Sequence, residues 1–202
     1  MTSQRHKPDI ERLPLVELPP VVVEAVRESV LAVGVRRTTL TDVARRAGVS
    51  RMTLYRMAPD VEALILSVMT RDFAGLLVDA EAKAARRRTA RARLVAMTAE
   101  VARRLPDEPL FRRVIDVDPE LLLPYLTERI GSTQRLAIVH LRRVITEGQA
   151  DGSVRRGDPD VMATSLLMAV APFAISARLL DVIGRDAAVD ELSIGLEGWL
   201  KP

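Results

Sequence analysis

The sequence predicts an all-α protein, on three observations. Aromatic residues make up only 3% of the 202 residues, whereas sheets are enriched in aromatic and β-branched side chains. Apolar residues recur every three or four positions, the spacing of one helix face, and no stretch alternates as a half-buried strand does. Proline, glycine and small polar residues stand at the ends of these stretches, where helices begin and stop.

The individual helices follow from these boundaries. The first begins at the Pro19-Pro20 pair, since proline is tolerated in a first helical turn, and Gly34 ends it. Residues 1–18 have little periodicity, which predicts a flexible N-terminal arm. The predicted helices cover about 20–33, 40–47, 51–57, 61–77, 89–105, 108–115, 119–130, 132–149, 158–183 and 187–200.

Positive charge is concentrated in the first third of the chain. The net charge is +3; residues 1–60 carry 10 basic and 7 acidic residues, and residues 61–202 carry 20 of each. Between residues 34 and 58 there are six arginines and one acid, Asp42. A local excess of this kind is expected of a surface that meets phosphates, although a solvated basic face explains the charge alone equally well.

Residues 39–58 have the pattern of a helix-turn-helix. Thr39 is placed to cap the first of two short helices, and Ser50 is placed to cap the second. Small Ala44 lets the helices approach closely, and Gly48 supplies a turn at positive φ. In this motif the second helix enters a major groove, so the pattern predicts DNA binding. An ordinary helical hairpin is the alternative.

The candidate DNA-binding residues are polar or basic side chains on or beside these two helices, with one methionine. They are Arg37, Thr39, Arg46, Ser50, Arg51, Met52, Thr53, Tyr55 and Arg56. Arginine can bind guanine through two hydrogen bonds, and threonine and tyrosine hydroxyls suit phosphate oxygens. The basic run at 86–88 is interpreted instead as a solvated turn.

The same stretch resembles the tetracycline-repressor (TetR) family of bacterial regulators. Four motifs carry the resemblance in the family's order: Thr38-Thr39, Val43-Ala44, Ala47-Gly48-Val49-Ser50 and Thr53-Leu54-Tyr55. The resemblance implies an N-terminal three-helix DNA-binding domain over residues 19–65. It also implies a larger helical domain over residues 66–202, with about nine helices, that binds an effector and forms a homodimer.

Two stretches depart from the family's pattern. Similar proteins usually continue the tyrosine as Tyr-x-aromatic-Phe, where this chain has Tyr55-Arg56-Met57-Ala58. The family often begins its fourth helix with Lys-Glu-x-Leu, where this chain has Val61-Glu62-Ala63-Leu64. The second change removes a lysine expected to bind phosphate, for which Arg51 and Arg56 could compensate.

The resemblance places an effector cavity and a dimer interface in the second domain. The candidate cavity residues are Met97, Phe111, Tyr125, His140, Met168 and Phe173. The candidate interface residues are Met162, Leu166, Val170, Leu192, Leu196 and Trp199. Core packing within one chain is the alternative for both sets. The expected partners are an operator in double-stranded DNA, a second copy of the chain, and a small apolar or amphipathic effector.

Composition excludes several other classes of site. The chain has no cysteine and two histidines, which argues against thiolate chemistry and a histidine metal site, and no cofactor is expected. The longest uncharged stretch, residues 161–177, is interrupted by Pro172 and is shorter than the ~20 residues of a membrane span. With a polar, charged N-terminus, we expect a cytoplasmic protein that does not enter membranes.

Three rival functions remain at the level of sequence. An enzyme would need a catalytic constellation or a phosphate-binding loop, and neither is visible. An architectural DNA-coating protein would bind any duplex and have no cavity. A ligand-binding relative could have weakened DNA binding through the changes at Met57, Ala58 and Val61.

Overall fold

The computed structural model describes residues 17–202, and its regular elements over that range are helices. The helices are α1 (Pro20–Val33), α2 (Leu40–Ala47), α3 (Arg51–Met57), α4 (Val61–Ala84), α5 (Ala90–Arg104), α6 (Pro109–Val117), α7 (Leu123–Thr127), α8 (Ser132–Ala150), α9 (Pro159–Ile175), α10 (Ala177–Leu180) and α11 (Arg185–Leu200). Two 3₁₀ turns, Leu105–Asp107 and Pro119–Leu121, flank α6. The prediction of an all-α protein is confirmed.

Most of the predicted N-terminal arm, residues 1–16, lies outside the described residues. Its end does not: Leu18 is buried against the first three helices and the start of α4. The boundaries predicted for α1, α2 and α3 agree with the structure.

Two predicted helices are interrupted. The helix expected over 119–130 is a 3₁₀ turn followed by the single turn of α7, with Pro119 and Pro124 at their starts. The helix expected over 158–183 ends at Ile175. Pro172 cannot donate a backbone hydrogen bond and its ring crowds the preceding turn, so the helix stops within one turn of it and α10 follows as a separate short piece.

Residues 17–202 form two main apolar cores. The first joins α1–α3 and the start of α4, and includes Val22, Val26, Val43 and Leu54, none of which is exposed. The second surrounds α5, which packs against α4, α8, α9 and α11. Since α4 contributes to both cores, any displacement of α4 in the second domain acts directly on the first.

Candidate DNA interface and cavity

Three local features fix the ends of α2 and α3. The Thr39 hydroxyl accepts the backbone N–H of Asp42 at 3.1 Å, and the Ser50 hydroxyl accepts that of Thr53 at 3.1 Å. Between the helices Gly48 has φ +66°, a conformation glycine adopts without steric cost. The two N-caps expected from the sequence are confirmed, and both short helices therefore begin at defined residues.

The outward face of α3 is cationic at both ends. Arg51, Met52, Tyr55 and Arg56 are exposed, Met52 to 67%. The Arg51 guanidinium donates to the Tyr55 hydroxyl at 2.7 Å and lies 5.2 Å from the centre of the tyrosine ring. This contact orients the Arg51 side chain in the free protein. Thr53 is half-buried, and its hydroxyl forms a hydrogen bond with the Ser50 hydroxyl at 2.8 Å.

The other two candidate arginines are tied to α1. Arg37 Nε donates to the Val33 carbonyl at 2.9 Å, which satisfies an acceptor at the end of α1. Arg46 lies 3.4 Å from Glu28. Both arginines remain exposed, so their contacts with α1 leave them accessible to solvent.

The side chains at the positions that depart from the family's pattern pack into the core of the first domain. Ala58 is buried, and Met57 and Val61 pack half-buried against the same core. Asp60 caps α4 by accepting the Ala63 N–H at 2.7 Å. The short side chain at 58 is thus accommodated inside a closed core, and Val61 presents no cation to a phosphate.

A junction that the sequence did not reveal joins the two domains. Leu110, Val114 and Leu121, from α6 and the turn after it, are buried in the core of the first domain. Beside them, the buried Asp118 carboxylate accepts the Val35 N–H at 2.7 Å. Arg36 Nε donates to Glu120 at 2.6 Å, so this arginine is committed to the junction.

A second connection runs between α1 and α4. The Arg27 guanidinium donates to the Asp72 carboxylate, with Nε 3.3 Å from Oδ2. The hydrogen bond with Asp72 raises the pKa of Arg27 above its ordinary value. The first domain is therefore held from two sides, by α4 and by α6.

The second domain contains a partly open cavity of about 630 Å³. It lies between α4, α5, α6, α7, α8 and α9, and its wall is mostly apolar. Both helices that hold the first domain contribute to the wall, α4 with Leu66 and Phe73 and α6 with Leu110 and Phe111. A cavity of this size is typical of small-molecule sites.

Three of the six candidate cavity residues line it: Met97, Phe111 and Tyr125. The other three lie elsewhere. Met168 is 49% exposed on α9, and Phe173 packs with Ala99, Ala102 and Val189. His140 lies behind Met97, with Nε2 2.9 Å from the Met97 sulfur and 3.7 Å from Glu81; burial lowers its pKa.

Comparison with known proteins identifies the family. The model for "Bacterial regulatory proteins, tetR family" matches residues 22–68. An uncharacterized HTH-type transcriptional regulator of Mycobacterium tuberculosis is 36% identical over 180 residues, 89% of this chain and 92% of that protein. A Mycobacterium bovis regulator matches equally well. The chain belongs to the TetR family.

Solved TetR-family structures share the fold of this chain. The repressor QsdR of R. erythropolis superposes with a TM-score of 0.67 at 17% identity, covering 90% of this chain and 94% of that one. FadR of Bacillus subtilis, solved in complex with stearoyl-CoA, gives 0.60 at 15% identity, covering 89% and 98%. The relatives are named as regulators, and the chain is a DNA-binding transcriptional regulator.

In this TetR-family chain the candidate interface residues face inward. Met162, Leu166 and Leu196 are buried in the core around α5, and Val170, Leu192 and Trp199 pack half-buried against cores of the second domain. The exposed faces of α9 and α11 carry other apolar residues. These are Val161 at 62% exposure, Met168 at 49% and Ile194 at 65%.

Residues 17–202 contain neither a candidate metal site nor a candidate membrane-spanning helix. No group of three or more histidine, aspartate or glutamate side chains is placed to hold a metal ion. No helix in that range is long and apolar enough to cross a membrane.

Proposed function

We propose that this TetR-family chain is a dimeric repressor, which a small apolar or amphipathic molecule releases from a palindromic operator. The observation that carries the proposal is the 630 Å³ cavity, whose wall includes the two helices that hold the DNA-binding domain. In the dimer, one α3 from each copy would enter successive major grooves, ~34–36 Å apart. A protein that only coats DNA would have no use for such a cavity.

Effector binding would act by changing the relative population of two arrangements. A molecule between α4 and α6 contacts Phe73 on one side and Phe111 on the other. If it fits a more open arrangement better, it favours that arrangement by its difference in affinity. Since α4 and α6 are bonded to α1 and its following turn through Asp72 and Asp118, the separation of the recognition helices would change with them.

The second copy would cover the exposed apolar faces of α9 and α11. Val161 and Met168 are exposed on α9 and Ile194 is exposed on α11, where exposed Gly195 and Gly198 would allow backbones to approach closely. The six interface residues predicted from sequence would then support the interface from behind. Ile194→Asp should convert a dimer to a monomer in sedimentation analysis, whereas Glu191→Gln, an exposed substitution on the same helix, should leave the dimer intact.

Selection of bound sequences from a random duplex pool tests DNA recognition. A palindromic site should be recovered, and Arg51→Ala and Arg56→Ala should each weaken binding to it by about tenfold, the value of one good base or phosphate contact. Arg86→Ala, in the exposed turn between α4 and α5, is the matched control and should bind as the unmodified chain does.

The alternatives correspond to distinct results. Equal binding to all duplexes would indicate an architectural protein. No binding to any duplex by a folded dimer would indicate a relative that has lost DNA recognition. Tight operator binding that no cavity-filling molecule reverses would contradict the effector part of the proposal alone.

A further inference from the structure

The polar part of the cavity wall is concentrated where α7 turns into α8. Arg129 lies before the turn and Arg135 lies in the first helical turn after it. Arg129 rests 4.8 Å from the centre of the Tyr125 ring and donates to its hydroxyl at 3.3 Å, while Arg135 donates to the Ile130 carbonyl at 2.7 Å. Over residues 17–202 neither arginine forms an ion pair with a carboxylate.

The start of α8 adds backbone donors to these two cations. Its N-cap is Gly131, which has no side chain to accept the N–H groups of the first turn. A larger residue there would require the Tyr125 ring to move, because a Cβ on Gly131 would lie 2.6 Å from that ring. The positive end of a 19-residue helix therefore opens onto the cavity, an arrangement that favours a bound anion.

The remaining charged and polar groups of the wall do not neutralise this end. Asp72 is already bonded to Arg27, and Glu108, which precedes α6, is not within ion-pair distance of Arg129 or Arg135. Deeper in the wall, Thr98 is 5% exposed and its hydroxyl has no hydrogen-bond partner among the described residues. The rest of the wall is largely apolar, so the cavity has an apolar body and one cationic region.

We propose that the effector is an organic anion, with an apolar body in the cavity and one carboxylate or phosphate group at Arg129, Arg135 and the first turn of α8. This rests on the proposed function, because it specifies the chemistry of the molecule that the same cavity takes. The aliphatic wall would hold the apolar body by burial, and the two arginines would hold the head group by charge-assisted hydrogen bonds.

Four probes with the same twelve-carbon chain separate the contribution of the head group from that of the apolar body. Dodecanoate, dodecyl phosphate, 1-dodecanol and dodecyltrimethylammonium are titrated into the full chain by calorimetry below their aggregation concentrations. We expect at least one of the two anions to bind about tenfold or more tightly than the alcohol, and the cation to bind most weakly. Which anion binds better distinguishes a carboxylate effector from a phosphate one.

Variants locate the head group. Arg129→Gln and Arg135→Gln should lower affinity for the preferred anion toward that of the alcohol and leave alcohol binding unchanged. The matched control Arg86→Gln removes one positive charge from an exposed turn outside the wall and should change neither. Variant folding is checked by the helical circular dichroism signal and the melting temperature.

Three results would overturn the inference: equal binding of anion and alcohol, tightest binding of the cation, or no binding of any probe. Anion binding that both glutamine variants retain would also overturn it. Operator release is measured separately with the same probes. If 1-dodecanol releases the operator as well as either anion does, the proposed function stands and the anionic head group is rejected.

Discussion

The DNA-binding domain and the second domain differ in how completely they cover their apolar residues. In the first, Val22, Val43 and Leu54 are wholly buried, and the outward face of α3 carries two arginines beside Met52 and Tyr55. In the second, apolar side chains line a 630 Å³ cavity, and Leu179 and Val182 are exposed to 72% and 85%. The first domain is therefore a filled core, whereas the second leaves apolar area that the proposed effector and second copy would cover.

The same kind of truncation should therefore have different costs in the two domains. Leu54→Ala removes a fully buried side chain from a filled core and should lower the free energy of unfolding by about 2–5 kcal/mol. Phe111→Ala removes a half-buried ring that already faces empty space, so its cost should be clearly smaller. Urea denaturation of both variants measures the difference. Equal losses would show that the cavity wall is packed as tightly as the first core.

The next largest change in the free energy of unfolding is expected from a substitution at the junction between the domains. Asp118→Ala leaves the buried Val35 N–H without its acceptor and should cost about 1–3 kcal/mol. Asp118→Asn keeps an acceptor oxygen and should cost less. Amide hydrogen exchange should accelerate at Val35 in the alanine variant before it does so in the core of α5. The control is Glu120→Gln, which breaks the exposed pair with Arg36 and should change stability by less than about 1 kcal/mol. Unchanged exchange at Val35 in Asp118→Ala would contradict the assigned contact.

The first domain could be predicted closely because its structure is determined locally. The caps at Thr39 and Ser50 and the turn at Gly48 act over three or four residues, so the sequence displays them directly. The bounds of α1, α2 and α3 accordingly follow from the sequence. The family motifs fall within this same stretch, which is why the DNA-facing role could be predicted as well.

The second domain was less predictable because its determinants are distant in sequence. Asp118 meets Val35 across 83 residues, and no pattern near either position indicates the contact. Residues 161–173 are apolar on nearly every side of α9, which predicts burial but does not show which side meets α5 and which meets solvent. Consequently the sequence alone does not separate a dimer interface from core packing at Met162 and Leu166, which are buried within the chain.

The packing of His140 against the cavity wall should make the second domain sensitive to pH. Burial lowers the pKa of His140 in the folded chain, against the attraction of Glu81 and Glu147 and with the repulsion of Arg143. The unfolded chain therefore binds the proton more readily, and stability falls as the pH drops below the ordinary histidine value of about 6.5. His140→Gln should flatten this part of the profile of unfolding free energy against pH. His6→Gln, at the other histidine of the chain, is the matched control; an identical flattening in it would assign the effect to a different cause.

The smallest change in the free energy of unfolding is expected from a substitution at Thr98, which tests whether a hydroxyl in the cavity wall lacks a hydrogen-bond partner. Thr98→Val replaces a buried hydroxyl that has no partner among the described residues with a methyl group of similar size. We expect the unfolding free energy to stay unchanged or rise by up to about 1 kcal/mol, because no hydrogen bond is lost and a desolvated polar atom is removed. Thr70→Val is the matched control, since that hydroxyl lies in the same wall but bonds the Leu66 carbonyl and the Thr133 hydroxyl, each at 2.8 Å. Thr70→Val should be the more destabilising of the two. If Thr98→Val instead costs as much as Thr70→Val, the Thr98 hydroxyl is satisfied in solution and the cavity has one fewer polar group to offer a ligand.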